Sequence, residues 1–219
     1  MDSPIRLLIV DDQDLIRGAL ADRLNKEPDI EVVAQASDAE QAIDIAAKEK
    51  VDVILMDADM PGLSSFEATR TIHAVAPKTR VILLSDDVQD WFLEQAITVK
   101  AAGFVTKHNP PERVAELIRE AAAGRPAFCD AARQRVVIDS GGGVMLATPG
   151  ERPIGALTAR ELDVLRYIAR GLSKKQIAST MHLSIKTVDR HSTNLMSKLG
   201  IHDRVKLARF AIREGLAEA

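Results

Sequence analysis

The chain is poor in cysteine. Among its 219 residues only Cys129 carries a thiol, so no internal disulfide can form, and a disulfide-stapled secreted scaffold is excluded. Cys129 itself reads as a small structural side chain, and a reducing, cytoplasmic setting is the expectation. No apolar run approaches the ~20 residues that a membrane span needs. The opening Met1-Asp-Ser-Pro4 leads into a short apolar stretch without the basic flank of a secretory signal. No internal repeat is visible. What remains is 46% hydrophobic and 28% charged, the balance of a globular protein with room for one large or two small domains.

A formal net charge of −3 conceals a polarity along the chain. Residues 1–123 hold 13 Lys+Arg against 23 Asp+Glu, a net of −10; residues 124–156 hold 4 against 3; residues 157–219 hold 12 against 6, a net of +6. Two modules with different partners are implied. A small basic module is suited to a polyphosphate such as DNA, since neutralised phosphates release counterions.

The acidic half alternates apolar runs with helix-like stretches. The runs, Ile5–Val10, Ile30–Gln35, Val51–Met56, Val81–Leu84 and Gly103–Val105, are near-continuous, as parallel strands buried on both faces should be. Between them lie helical patterns at about Leu15–Asn25, Ala39–Lys48, Phe66–Val75, Trp91–Val99 and Glu112–Ala123. Five βα units predict a doubly wound, five-stranded parallel α/β sheet. Breaker clusters at Gly124-Arg-Pro126, Ser140-Gly-Gly-Gly143 and 148–155 mark residues 124–156 as a linker, with room for one short helix in 129–139. Residues 157–219 then predict four short helices. Thr158-x-x-Glu161 and Ser173-x-x-Gln176 are capping boxes, Ser184 and Asp203 are further N-caps, and Gly171 and Gly200 are stops.

Five polar residues fall at or just past strand ends: Asp11 and Asp12 after the first strand, Asp57 at the third, Ser85 at the fourth and Lys107 after the fifth. In open parallel sheets that edge is where ligands bind. Three crowded carboxylates call for a cation, and an all-oxygen set suits Mg²⁺. An ionised aspartate can accept a phosphoryl group, a lysine can pair with one of its oxygens, and a serine hydroxyl can bond another.

The motifs Leu8-Ile-Val-Asp-Asp12, Val53-Ile-Leu-Met-Asp57-x-x-Met-Pro-Gly62, Leu84-Ser85 and Ala102-Gly-Phe-Val-Thr-Lys107 make residues 5–123 resemble a two-component receiver domain with a flavodoxin-like fold. The resemblance implies Asp57 as phosphoacceptor. It implies Mg²⁺ on Asp12 and Asp57 with the backbone carbonyl of Asp59, Asp11 nearby. It makes Lys107 and Ser85 the phosphoryl-stabilising groups and Ser85 with Phe104 the switch pair. Three positions depart from the family pattern. Ser65 and Lys100 stand where many members carry glycine, and Asp86 stands where a small residue is usual.

In the tail, Leu157-Thr-Ala-Arg-Glu-Leu-Asp-Val-Leu165, Gly171-Leu-Ser-Lys-Lys-Gln-Ile-Ala178, Leu183-Ser-Ile-Lys-Thr-Val-Asp-Arg-His191 and Lys198-Leu-Gly-Ile-His-Asp-Arg204 resemble the LuxR-type helix-turn-helix, an all-α four-helix domain. Together the two resemblances are those of a NarL/FixJ-type response regulator. In the third helix, Ile185, Val188, Ser192, Leu195 and Leu199 form the expected packing stripe. Lys186, Asp189, Arg190, Thr193 and Ser197 form the opposite face. The resemblance makes Asp189, Arg190 and Thr193 base-facing, with Asp189 replacing a common lysine. An intrahelical partner for Arg190 or Lys186 is the other reading of Asp189. Lys174, Lys175, Lys186, Thr187 and Lys198 are candidate phosphate contacts. In the last helix Val205, Leu207, Ala208, Ala211 and Ile212 divide between core and a dimer contact.

The function so implied is transcription regulation. A sensor histidine kinase phosphorylates Asp57, and this controls homodimerisation and binding to paired DNA half-sites, without enzymatic turnover or a membrane partner. Two other readings stand beside it. One is a DNA binder with a degenerate, phosphorylation-independent receiver, which the three departures suggest. The other is a haloacid-dehalogenase-like phosphatase, suggested by Asp57-x-Asp59, although in those enzymes the pair follows the first core strand.

Overall fold

The computed structural model describes residues 3–139, 143–147, 157–214 and 216–217. It divides into two compact units, Met1–Pro149 and Gly150–Ala219. In the first, strands β1 (Ile5–Val10), β2 (Ile30–Ala36), β3 (Val53–Asp57), β4 (Arg80–Ser85) and β5 (Gly103–Thr106) alternate with helices α1 (Asp14–Leu24), α2 (Ala39–Lys48), α3 (Ser65–Val75), α4 (Asp90–Thr98) and α5 (Pro111–Ala122). All strand pairs in this sheet are parallel, in the order β2-β1-β3-β4-β5. Leu7–Val10 and the whole of β3 are buried, which is why these runs do not alternate with polar residues.

The helices begin where local chemistry favours it. The Asp38 carboxylate accepts from the Gln41 amide at 2.8 Å ahead of α2, the Ser64 hydroxyl caps α3, and Pro111 opens α5 at a position where its missing N–H is no loss. Helix α4 ends in a strained turn. Lys100 holds φ +56°, the left-handed conformation expected of a glycine site and unfavourable for a side chain with a Cβ.

The expected five-stranded sheet is corrected to six. After α5 come β6 (Ala127–Phe128), α6 (Asp130–Arg133) and an antiparallel hairpin of β7 (Val136–Ile138) and β8 (Val144–Leu146). Strand β6 adds to β5 in parallel, with Gly103 opposite Ala127 and Phe104 opposite Phe128. The Ala127 amide donates to the Ala102 carbonyl at 2.8 Å and the Cys129 amide to the Phe104 carbonyl at 2.9 Å. The approach is so close that a Cβ on Gly103 would lie 2.0 Å from the Ala127 carbonyl oxygen. The described part of the expected linker is therefore built onto the first unit. Ion pairs Arg113–Asp130 (3.1 Å), Arg133–Glu120 (2.8 Å) and Arg135–Asp90 (2.9 Å) tie it to α5 and α4. The expected helix in 129–139 shrinks to the single turn of α6. Residues 140–142 and the whole of the breaker cluster 148–155 lie outside the described residues.

The second unit holds α7 (Ala159–Ala169), α8 (Lys174–Thr180), α9 (Ile185–Leu199) and α10 (Arg204–Arg213). Both capping boxes form with both reciprocal bonds, and Ser184 and Asp203 cap α9 and α10. Gly200 ends α9 at φ +66°. Leu162, Leu165, Ile168, Ile177, Met181, Val188, Leu195, Leu207 and Ala211 are buried and make the core.

Candidate phosphoacceptor pocket and nucleic-acid interface

The register of the sheet gathers the strand-end residues. Val10 pairs with Met56, Asp57 with Leu84, and Ser85 with Thr106, so Asp11, Asp57, Ser85 and Lys107 emerge at one edge. The strand order reverses between β1 and β3, the point at which such sheets form their crevice. Asp11 and Asp57 are 0% and 2% exposed, and Asp12 stands exposed at the opening. Lys107 Nζ bridges the buried pair, 2.9 Å from Asp57 Oδ2 and 3.2 Å from Asp11 Oδ2. Backbone amides hold the other oxygens: Asp59 donates to Asp57 Oδ1 at 3.0 Å and Gln13 to Asp11 Oδ1 at 2.8 Å.

Burial pushes the Asp57 carboxyl up to about 6, against the pull of the Lys107 hydrogen bond and charge. Burial lowers Lys107, but its hydrogen bond to Asp57 and the charges of Asp57 and Asp11 outweigh that and leave it raised. Partial desolvation and the neighbouring Asp11 charge raise Asp12. Asp57 is thus ionised at neutral pH and restrained by one ammonium.

The donor set fits a hard cation. Carboxylate oxygens of Asp11, Asp12 and Asp57 lie within 4.8 Å of one another. Asp11 Oδ2 is fully buried and accepts no hydrogen bond; its 3.2 Å approach to Lys107 is an ion pair outside hydrogen-bond geometry. A buried acceptor in that condition is stabilised by a metal ion.

Ser85 is buried at the same edge, yet its Oγ donates to the Asp87 carbonyl at 3.2 Å. Phe104 is 0% exposed, with its ring 6.2 Å from Phe92, which stacks on Trp91 at 3.8 Å. Its ring lies in the core. Ser65, a departure from the pattern, is accommodated: its hydroxyl is buried and donates to the Ala58 carbonyl at 3.0 Å. Asp86 is exposed.

In the second unit the outward face of α9 carries Lys186, Asp189, Arg190, Thr193 and Ser197, all exposed as expected. The packing stripe needs a correction. Val188, Ser192 and Leu195 are buried, but Ile185 is 50% exposed, because it is the first residue of the helix. Asp189 pairs with neither Arg190 nor Lys186; it forms an ion pair with Lys174 of α8. Lys175 and Lys186 are exposed. Thr187 serves the cap: its amide donates to Ser184 Oγ at 3.1 Å and the two hydroxyls meet at 2.8 Å. Lys198 reaches Glu161 at 2.7 Å. Glu161, 3% exposed, also accepts from the Thr158 amide at 2.8 Å. This tie between α7 and α9 was not visible in the sequence, since its partners are 37 residues apart. In α10, Leu207 and Ala211 are core, while Val205 is 67% exposed.

Residues 7–119 match the family model of the response regulator receiver domain, and residues 155–211 match that of bacterial regulatory proteins of the luxR family. Among curated relatives, the transcriptional regulatory protein LiaR of Bacillus subtilis is 35% identical over 97% of this chain and 99% of its own. The nitrate/nitrite response regulator protein NarP of Escherichia coli is 37% identical over 93% and 92%. Among solved structures, RcsB from Salmonella enterica serovar Typhimurium, bound to promoter rprA with the phosphomimetic BeF3−, aligns with a TM-score of 0.67. That alignment covers 95% of this chain and 98% of that one at 21% identity, a likeness of fold. No helix among the described residues is long and apolar enough to cross a membrane.

Proposed function

Because this chain belongs to the response regulators that join a receiver domain to a LuxR-family helix-turn-helix, we propose that phosphorylation of Asp57 by a sensor histidine kinase controls its binding to DNA. The observation that carries this reading is the Lys107 ammonium between two buried carboxylates at the switch point of the sheet. An Asp57 oxygen forms the new bond to phosphorus as the bond to the kinase histidine breaks. Lys107, released from Asp57 Oδ2, pairs with a phosphoryl oxygen. The Ser85 hydroxyl leaves the Asp87 carbonyl for another. Asp11, Asp12, Asp57 and the Asp59 carbonyl would hold Mg²⁺, which neutralises charge on the transferring group when bound.

Residues 1–123 act as receiver, 124–156 as the connection, and 157–219 as the DNA-binding domain. Helix α9 enters the major groove with Arg190 set for guanine and Thr193 beside it. Lys175, Lys186 and Thr187 lie where phosphates would be met, and Lys174 with Asp189 acts as a pair. Lys198 we place in the fold of the domain rather than on the phosphates. RcsB was solved bound to promoter rprA in the presence of the phosphomimetic BeF3−, which supports DNA binding by an activated chain here; homodimers on paired half-sites in the cytoplasm complete the reading. Acetyl phosphate treatment tests the acceptor. Wild type gains one phosphate and Asp57→Asn none; equal labelling of both sinks the assignment.

A second reading, DNA binding independent of phosphorylation, is favoured by one observation. Lys100, where many family members carry glycine, holds a left-handed backbone at the end of α4, and a strained turn there is unfavourable for the part of a receiver that would carry the signal.

A further inference from the structure

The outer face of α9 is polar with one exception. Ile185, Asp189 and Thr193 follow one another at four-residue intervals and so share a line along the helix. Ser197 is next on that line, and Lys186 and Arg190 lie beside it. Ile185 is the sole large apolar side chain of α9 left exposed among the described residues, and in its unit only Val205 of α10 resembles it. The packing stripe does without it, since Val188 and Leu195 are fully buried. Nor does the helix start need it: the Ser184 cap and Thr187 make the N-terminal bonds.

The charge next to it is already engaged. Asp189, one turn further on, is held by Lys174, so its carboxylate is not free to accept from a cytosine amine without breaking that pair. The first turn of such a helix is the part that reaches base edges. On the major-groove edge of a base pair, the thymine 5-methyl is the one apolar group.

Resting on the DNA-binding reading above, we propose that Ile185 is a specificity-determining residue that packs against the 5-methyl group of a thymine in each half-site. An aliphatic side chain at this position discriminates thymine from cytosine by contact with the methyl, while Arg190 supplies the hydrogen-bonded reading further along the helix. The Lys174–Asp189 pair beside it keeps the carboxylate turned toward α8.

The test uses the full chain activated with beryllofluoride and a duplex selected by it from a random pool. Each thymine is replaced singly by deoxyuridine, which lacks only the methyl, and affinity is measured at fixed salt. For wild type, one position in each half-site should weaken binding by about three- to fivefold, the value of one buried methyl group. Ile185→Ala should bind the parent duplex more weakly by a similar factor and be indifferent to that replacement; Ile185→Val should keep most of the sensitivity. Because Ile185 is half exposed, both variants should retain wild-type helicity and melting.

Wild-type binding that tolerates every deoxyuridine, or an Ile185→Ala protein that still loses the same factor, overturns the assignment and leaves the DNA-binding reading standing. Failure to select any duplex above non-specific affinity overturns both.

Discussion

Replacing Asp57 with asparagine should stabilise the first unit at neutral pH. The folded carboxyl titrates near 6 and the unfolded one near 3.8. Between those values the folded state holds more protons, so stability falls as pH rises through the window, and the whole penalty stands above pH 6. A shift of about two units at about 1.4 kcal/mol each comes to about 3 kcal/mol, with the pull of Lys107 already included. Asparagine resembles the protonated acid and escapes that penalty. It keeps an acceptor for the Asp59 amide but sets an NH₂ group or a neutral oxygen against Lys107, which returns about 1 kcal/mol.

The net expectation is about 2 kcal/mol of stabilisation at pH 8, shrinking below 1 kcal/mol at pH 5, where the folded wild-type carboxyl is largely protonated. Urea unfolding in EDTA reads this directly. Trp91 is the chain's one tryptophan and lies buried in α4 of the same unit. Its fluorescence midpoint should rise by roughly 1 M at pH 8. A variant less stable than wild type, or a gap that does not change with pH, would mean that the Lys107 ion pair outweighs burial.

Other positions give sharp expectations. Lys100→Gly removes a left-handed strain of roughly 1–2 kcal/mol and adds an entropic loss of roughly 0.5–1 kcal/mol. Trp91 unfolding should therefore show a gain of about 0.5–1 kcal/mol, and Lys100→Ala, which keeps the Cβ, should show none. Gly103→Ala cannot be accommodated beside the Ala127 carbonyl. It should free β6 and make the buried Cys129 thiol react with a thiol reagent under native conditions, as wild type does not. Lys198→Met strands the buried Glu161 carboxylate and should destabilise the second unit by about 1–2 kcal/mol. The salt dependence of DNA binding should barely change, whereas Lys175→Met should lower the log–log slope by about 0.9.

Strand and helix placement in both units was largely legible. Strand β1 and helix α2 stand where the apolar runs and caps put them. Helices α1, α3, α4 and α5 start one residue earlier than the apolar periodicity indicates, because the first helical residue is chosen by the cap, as with Ser64 before Ser65 and Pro110 before Pro111. Strand β6 is two residues long, too short for any periodic signal. Its mark in the sequence is indirect, at Gly103, where only a missing side chain lets another backbone approach. The pairing of β7 with β8 was concealed by the glycine-rich sequence between them. Glycines between Val136–Ile138 and Val144–Leu146 read as a breaker when the apolar triplets on either side made them a hairpin signal.

In the candidate site, the residue types at strand ends were enough to assemble the acidic pocket, since a parallel sheet delivers all its carboxyl ends to one edge. What they could not convey is the partner of each group. The Lys107 bridge, the Lys174–Asp189 pair and the Lys198–Glu161 tie depend on elements brought together by packing, and the Ser85 bond to Asp87, two residues on, depends on the path of the loop after β4. Ile185 was misplaced for a related reason: a stripe drawn at helical spacing ignores that the first turn has no preceding turn to cover it.

A phosphoryl group on Asp57 should change DNA binding. The affinity of the full chain for a selected duplex is compared with and without beryllofluoride, with molecular size recorded on the same samples, for wild type and Asp57→Asn. Wild type should bind about tenfold tighter or more and shift from monomer to dimer, while Asp57→Asn shows neither change. Affinity and size that stay the same for wild type in beryllofluoride would mean that Asp57 does not control DNA binding.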